Sequence, residues 1–587
     1  MFRKPKSTTT SNLPEISQLN NFFGDLVEEK RSVSPSVNSS LTLDDPHSTQ
    51  ANQFSLRPLT IYATLNLLQH IKTDTAMGHD RISAFFLKKW APFLAFNITF
   101  LFNSSLSLGA FPSLWKKANL TPVYKKKGSK NDSENYRPIS ILPVLGRLLE
   151  RAVASQLQEH CDSFDVIPVQ QFGFRKHSNC ELTILAALDA WLGDLSMGKF
   201  VGALLVDLSK AFDSVSHALL CIELANIGCD DLSLEWFRNY LSSRSQRVVI
   251  GDVYSPWVTV SKGVPQGSSL SPLLFNIFVR QLPESCDGNV FQFADDLTNS
   301  AADSDPIALA TKLEASYNKI KAFCDNKLLQ INLTKTQLIV FKSPNKSLPP
   351  DYSITLEGIL LSPSPSVHIL GVTLDHHLTM GAHIQTIAKK CHGLLGVLRR
   401  AASYLPSSLL TLAYISLIRS QLEYNSATFF MAAPSHLKKL DVIQKIASRI
   451  ITNSPPCTHS QPLQVALGLE PLESRRRKHI AKLVNSIITG NSHPFFRNFF
   501  SSCSDASHGS VPVGIRSLNR KRLSQFGLCI VNDNYEPKRT NLRALEPISE
   551  GRSSDTLFDH NINQANLTAL SSKDFINAAV APIGDRG

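Results

Sequence analysis

Nowhere in this 587-residue chain do two cysteines stand at Cys-x-x-Cys spacing, although the chain holds ten of them. Cys457 has His459 close by but lacks the second ligand pair that a zinc site needs. A zinc cluster and a secreted disulfide scaffold are therefore excluded, and the reduced thiols of an intracellular protein are expected. A signal peptide is missing as well, since Met-Phe-Arg-Lys-Pro-Lys runs straight into Ser, Thr and Asn. The most apolar segment, Pro92 to Phe111, is broken by Asn97, Asn103, three serines and Gly109. It reads as a core helix rather than a membrane span, and no membrane role is indicated. No internal repeat is found.

Acidic residues are scarce in two stretches. Between Gly381 and Lys482 four acids stand against fourteen Lys and Arg, and between Lys116 and Arg137 two stand against seven. These zones account for much of the formal net charge of +12. With 43% apolar and 18% charged residues the chain can bury a large core, and its length has room for three or four domains. Residues 1–55, rich in Ser, Thr, Asn and Pro and without periodicity, are expected to be a flexible leader. Helical patterning follows from Leu59 to Phe100. From His383 the apolar residues Ile384, Ile387, Cys391, Leu394 and Leu398 form a helical stripe beside Lys389, Lys390, Arg399 and Arg400.

Between the basic zones lie acids with a common setting. The apolar run Val201 to Val206 ends in Asp207, and 88 positions later Phe293-Ala294 leads into Asp295-Asp296. An apolar segment that stops at an acid reads as a buried strand delivering its side chain to an edge or cleft. The segment Val290 to Ser300 fits a hairpin with Asp295-Asp296 at its tip. Taken alone, an Asp-Asp pair equally describes an exposed turn. Acids brought together from two segments would repel unless a divalent cation sat between them, and hard cations such as Mg²⁺ favour such oxygen donors. Flanking basic zones then suggest a polyanion held on either side of a metal centre.

The surrounding motifs decide between turn and site. Val206-Asp207-Leu208-Ser209-Lys210-Ala211-Phe212-Asp213, Gly263-Val264-Pro265-Gln266-Gly267-Ser268-Ser269-Leu270-Ser271-Pro272 and Phe293-Ala294-Asp295-Asp296 resemble the palm motifs of reverse transcriptases. Asn135-Tyr136-Arg137-Pro138-Ile139-Ser140 and Gln171-Phe172-Gly173-Phe174-Arg175 point to the non-LTR, LINE-type retrotransposon branch. Asn332-Leu333-Thr334-Lys335-Thr336 and Ile369-Leu370-Gly371-Val372 continue the series in order, over roughly residues 70 to 450.

The resemblance implies an α+β, right-hand polymerase with fingers, an antiparallel-sheet palm and an α-helical thumb. Its divisions would be a leader (1–55), an N-terminal extension with fingers (56–199), the palm with remaining fingers elements (200–375), a basic thumb (376–480) and a region without assigned role (481–587). The implied activity is RNA-directed DNA synthesis, in which a primer 3′-OH attacks the α-phosphate of a dNTP. Asp207 and Asp295 would hold two Mg²⁺ ions (or Mn²⁺), with Asp296 as a neighbouring carboxylate and the Leu208 carbonyl as a further donor. Phe212 would lie under the sugar and exclude a 2′-OH by volume. Gln266 and Gly267 would meet the nascent base pair, Arg137 and Lys125 would grip the triphosphate, and Lys335 would protonate the departing pyrophosphate. Partners would be an RNA template, a DNA primer and dNTPs, on genomic DNA and hence in the nucleus.

Two positions depart from the family pattern: Tyr124, where a small aliphatic residue is more usual, and Arg280, where an acidic or polar one is. The endonuclease often found ahead of such polymerases, the Cys/His knuckle behind the thumb and the acids of an RNase H domain have no counterpart here. The expectation is a polymerase module cut from, or decayed out of, a mobile element. The rival reading is an inactive nucleic-acid-binding remnant of one. A viral RNA-dependent polymerase is disfavoured by Phe212 and by Ala294, where such enzymes usually carry glycine.

Overall fold

In the computed structural model the described residues are 13–27 and 53–497. The structure mixes helices with two five-stranded sheets. In chain order the strands of these sheets are β1 (Lys117–Tyr124), β2 (Tyr136–Ile141), β3 (Phe200–Ser209), β4 (Arg244–Ile250), β5 (Val253–Tyr254), β6 (Val258–Val260), β7 (Asn289–Phe293), β8 (Asp296–Asp303), β9 (Gln330–Ile331) and β10 (Gln337–Phe341). One sheet runs β2-β1-β4-β5, with β6 also on β4; β1 and β4 are parallel, and its other pairings are antiparallel. The second sheet runs β10-β3-β8-β7, with β9 on the end of β3, and is antiparallel throughout.

Strand β3 is apolar from Phe200 to Val206 because both of its faces are covered there. Phe200, Leu204, Val206 and Leu208 enter one core, with the helices Val144–Ser163 and Pro306–Asn326. Val201 and Ala203 enter another, with the helices Cys180–Ser196, Gly381–Ala401 and Pro434–Ile451. Side chains alternate across a strand, so a two-sided strand has no polar face to show. After Asp375 the chain is helical to Ile488 apart from short turns. On the helix Gly381–Ala401 the residues Ile384, Ile387, Cys391, Leu395 and Leu398 are buried, while Lys389, Lys390, Arg399 and Arg400 stay exposed.

Two expectations are corrected, on the leader and on the boundary at residue 480. The leader of residues 1–55 contains a folded helix, Ile16–Val27, with Leu19 and Phe23 packed on Leu120, Tyr136 and Val248 and with Val27 buried at its end. That spacing of four residues is a helical stripe, and Gln246 Nε2 donates to Phe23 O at 3.1 Å to tie the helix to β4. The boundary at residue 480 falls inside the helix Leu472–Ile488, and the chain continues packed to Arg497. There His493 stacks on Phe172 with ring centroids 4.1 Å apart and donates from Nε2 to Gln171 O at 3.0 Å. The apolar segment after Pro92 is a core helix on one face only: Phe102 and Leu106 are buried, but Phe93, Phe96 and Phe100 are exposed. No helix among the described residues is long and apolar enough to cross a membrane. The rest of the 481–587 region, beyond Arg497, lies outside the described residues.

Candidate active site

Strand pairing brings the acids together. Asp207 on β3 is the register partner of Asp296 at the start of β8, and Phe293 pairs with Asp296 across a two-residue turn of Ala294 and Asp295. The hairpin expected around the Asp-Asp pair is thus formed, with Asp295 in the turn and Asp296 opening the returning strand. Tight hairpins of this length need a positive φ in the turn, and Ala294 adopts +59°. For alanine that conformation is strained, and Gln171 holds it. Gln171 Oε1 accepts from Ala294 N–H at 3.0 Å and from Gly173 N–H at 2.8 Å, while its Nε2 donates to Ala294 O at 3.3 Å. A Cβ on Gly173 would stand 2.2 Å from Ala294 N, so only glycine fits beside the turn. The Gln171-Phe172-Gly173 motif is therefore a brace for the acid-bearing turn.

This brace makes a prediction. Removing the Gln171 amide leaves buried backbone groups without partners, each costing about 1–3 kcal/mol. Gln171→Ala is expected to lower stability by about 2–3 kcal/mol, and to cut kcat by at least tenfold as the acids drift, since a shift near 1 Å can cost about 100-fold. Chemical denaturation and steady-state kinetics check both; a destabilised variant with unchanged kcat would refute the brace.

The carboxylates feel their neighbours. Burial raises the Asp295 carboxyl above its ordinary value, and the Asp207 charge adds to the rise. Crowding by surrounding protein raises Asp296 to about 6, with Asp295 and Asp207 adding to it. Because the Asp296 side chain keeps an open face to solvent, that rise is tempered. Arg137, exposed on β2, opposes both shifts and so faces the acids.

Lys335 comes to the same place. The Asp207 carbonyl accepts from Asn332 N–H at 2.8 Å, and the turn that follows sets Lys335 Nζ 3.5 Å from Asp207 Oδ2. Lys125 donates to Glu134 O at 2.6 Å. Burial lowers its ammonium below the usual range, and Lys335, Arg137 and Lys210 lower it further, so these four bases converge. Tyr124 closes the loop carrying Lys125, its hydroxyl donating to Gly128 O at 2.6 Å. Arg280 lies apart from the acids and pairs with buried Glu223 at 3.1 Å. Leu208 sits beside Asp207 with Ile331 as its register partner.

Phe212, Gln266 and Gly267 form a linked second group. The Phe212 ring stacks on Phe275 at 4.6 Å and 25°, with Phe174 edge-on at 6.2 Å. Its carbonyl accepts from Val264 N–H at 2.9 Å, which zips its turn to the loop holding Gln266. Gln266 O accepts from Ser140 N–H at 2.7 Å. Gly267 has φ +131°, and a Cβ there would meet Ser140 O at 2.5 Å. Two residues escaped the reading of the sequence: Lys210, whose Nζ lies 4.4 Å over the Phe22 ring, and Asp213, which binds Gln266. Both stand inside the Asp207–Asp213 motif, which was the available signal.

A donor set of three carboxylates crowded enough to raise two of them suits a hard divalent cation. Among the described residues no three His, Cys, Asp or Glu side chains form a ready-made metal cage. Mg²⁺ does not require one, because it commonly takes one or two carboxylates and completes its shell with water and substrate phosphates.

Acids at a strand end and a hairpin tip, faced by bases from a second sheet, are an arrangement suited to a divalent cation and a polyanion together. Residues 124–374 match the family model for reverse transcriptase (RNA-dependent DNA polymerase). This stretch is similar to reverse transcriptase domains, and curated relatives of the chain are named RNA-directed DNA polymerases of transposons and mobile elements. The chain is 27% identical over 467 residues to the probable RNA-directed DNA polymerase from transposon BS of Drosophila melanogaster, covering 75% of this chain and 50% of the relative. It is 25% identical over 452 residues to the RNA-directed DNA polymerase from mobile element jockey of the same fly, covering 75% of this chain and 48% of the relative. The probable RNA-directed DNA polymerase from transposon X-element is 25% identical over 450 residues, at 74% and 48%. The chain thus spans about half the length of these relatives.

Proposed function

We propose that the chain extends a DNA primer on an RNA template by two-metal phosphoryl transfer, as the polymerase of a LINE-type element acting on genomic DNA in the nucleus. The observation that carries this reading is the strand register of Asp207 with Asp296, which sets Asp295 in the adjoining turn. In this reading the sheet of β3, β7, β8 and β10 is the palm. The sheet of β1, β2 and β4–β6 belongs to the fingers, and the basic helices of 376–480 are the thumb. Exposed Lys389, Lys390, Arg399 and Arg400 would track sugar-phosphate backbone without reading sequence.

Asp207, Asp295 and Asp296, with the Leu208 carbonyl, would hold two Mg²⁺ ions, or Mn²⁺ in their place. When bound, these ions activate the attacking oxygen and offset charge on the leaving group. Arg137 suits bidentate phosphate contact and Lys125 acts as a point charge, so together they orient the triphosphate. Lys335, whose Nζ lies 3.5 Å from Asp207 Oδ2, would give a proton to the departing pyrophosphate. Gln266 and Gly267 form the floor beneath the nascent pair, and Phe212 lies under the sugar.

The test is incorporation of dTMP on poly(rA)/oligo(dT) with Mg²⁺. Incorporation that is abolished by EDTA and restored by Mg²⁺ is the expected result. No incorporation by well-folded protein would sink the active-enzyme reading, and retained binding to template–primer would then favour the inactive remnant.

A further inference from the structure

We propose that Asp213 is a positioning residue that fixes which way the Gln266 amide faces at the nascent base pair. This rests on the reverse-transcriptase reading above and adds a residue to which that reading gives no role. Asp213 is buried in the short turn Ala211–Ser214, directly after Phe212. Gln266 Nε2 donates to both of its carboxylate oxygens, to Oδ1 at 2.9 Å and to Oδ2 at 2.8 Å.

The chemistry of the pair dictates its sense. An ionised carboxylate only accepts, whereas a primary amide carries donors on nitrogen and an acceptor on oxygen. Asp213 therefore takes the nitrogen branch of Gln266 and leaves the oxygen branch as the other face of the amide. Nothing on the Gln266 backbone makes that choice, because its carbonyl is already bound to Ser140 N–H. Nor is the amide clamped on all sides by packing: Asp213 and Gln266 line a common cavity with Phe23, Pro138 and Ser140.

The backbone that carries the carboxylate is itself held still. Asp213 N–H donates to Lys210 O at 2.9 Å, and Gly263 N–H donates to Val215 O at 2.7 Å. A Cβ at Gly263 would meet Asp213 O at 2.7 Å, which shows how closely the two loops are pressed together. The same turn carries Phe212, so one clasp joins the residue under the sugar to the residue under the base. Burial raises the Asp213 carboxyl to about 6, against the pull of Gln266, Lys210 and Lys125. At neutral pH and above the acceptor-only form prevails, as the pairing requires.

Asp213→Asn separates this role from simple packing. Asparagine keeps the shape, but two primary amides can mate in either sense, so Gln266 loses its fixed orientation. On poly(rA)/oligo(dT), D213N is expected to raise KM for dTTP about tenfold with kcat within about threefold, because the lost interaction positions substrate. Gln266→Glu sets a second carboxylate against Asp213 and is expected to lower kcat/KM by at least about 100-fold. Combining Q266E with D213N restores a donor–acceptor pair. The introduced asparagine gives its amide nitrogen to the new carboxylate, which again presents an oxygen on its other branch. The double variant is expected to recover at least about tenfold over Q266E. A merely structural role predicts that the two losses add. Thermal unfolding is followed for each protein, and the double variant decides even if D213N alone folds poorly. D213N with wild-type KM, or a double variant no better than Q266E, overturns the proposal while leaving the enzyme reading intact. An inactive wild-type protein defeats both.

Discussion

Asp295→Asn is expected to abolish dTMP incorporation, by about 1,000-fold or more, and at the same time to make the metal-free protein more stable. The two effects share one cause. Asparagine matches aspartate in shape and is neutral, so the turn and its Gln171 brace survive while one charge of the proposed metal site disappears. In the metal-free protein that charge is a burden, since burial and Asp207 raise the Asp295 carboxyl and Asp295 helps raise Asp296 to about 6. Between the ordinary aspartate value of about 3.9 and the raised folded values, the folded chain keeps protons that the unfolded chain has lost. Stability from these groups is therefore present at low pH and falls as pH rises through that window. At pH 7.5 the wild-type protein carries the full repulsion and the variant does not. Thermal unfolding in EDTA should place the variant a few degrees higher at pH 7.5, with the gap closing towards pH 5. Added Mg²⁺ should raise the wild type more than the variant. A variant that is less stable at pH 7.5, or that still extends primer, would mean that the acids are not a strained cation site.

What made this site readable from the sequence was burial on both sides of one strand. A strand covered on two faces shows an uninterrupted apolar run, and the residue where the run stops is conspicuous; Asp207 was found that way. The turn after Phe293 was legible because its partner run and its length were both in the chain. Other features depended on partners far away in sequence. Gln171 acts on Ala294 across 123 positions, and Asp213 meets Gln266 across 53, distances that no local pattern spans. Alanine at φ +59° gives no glycine to mark the strained turn. The helix Ile16–Val27 was hidden because its stripe of Leu19, Phe23 and Val27 is thin and set in polar surroundings. Its apolar face becomes meaningful only once Leu120 and Val248 are brought beside it. By contrast, the basic run Arg475 to Lys478 reads from the sequence as part of a folded helix rather than a targeting signal, and it lies in one, where Arg476 is buried and Arg477 pairs with Glu473 at 2.7 Å.

Phe212→Ala is expected to lower the preference for dTTP over UTP by about 100-fold, read as the ratio of the two kcat/KM values on the same template–primer. The argument is one of rigidity. A ring excludes a hydroxyl only if it cannot move aside, and Phe212 is stacked on Phe275 at 4.6 Å with Phe174 against its edge. Forcing one extra polar atom into a wall costs about 1–3 kcal/mol, or about 5- to 150-fold at about 1.4 kcal/mol per tenfold, and a ring stacked this firmly belongs at the upper end. Alanine removes the wall and leaves dTTP itself nearly unaffected, so the change should come from faster UTP incorporation. Stability should fall too, by less than the 3–5 kcal/mol or so of a fully buried Phe→Ala change, because the ring is only half covered. Phe174→Ala offers a second reading from outside the sugar site. It removes only the edge contact, frees Phe212 to tilt, and should move the ratio in the same direction by a smaller factor. An unchanged ratio in Phe212→Ala would take the ring out of sugar selection and reduce it to packing for Phe275.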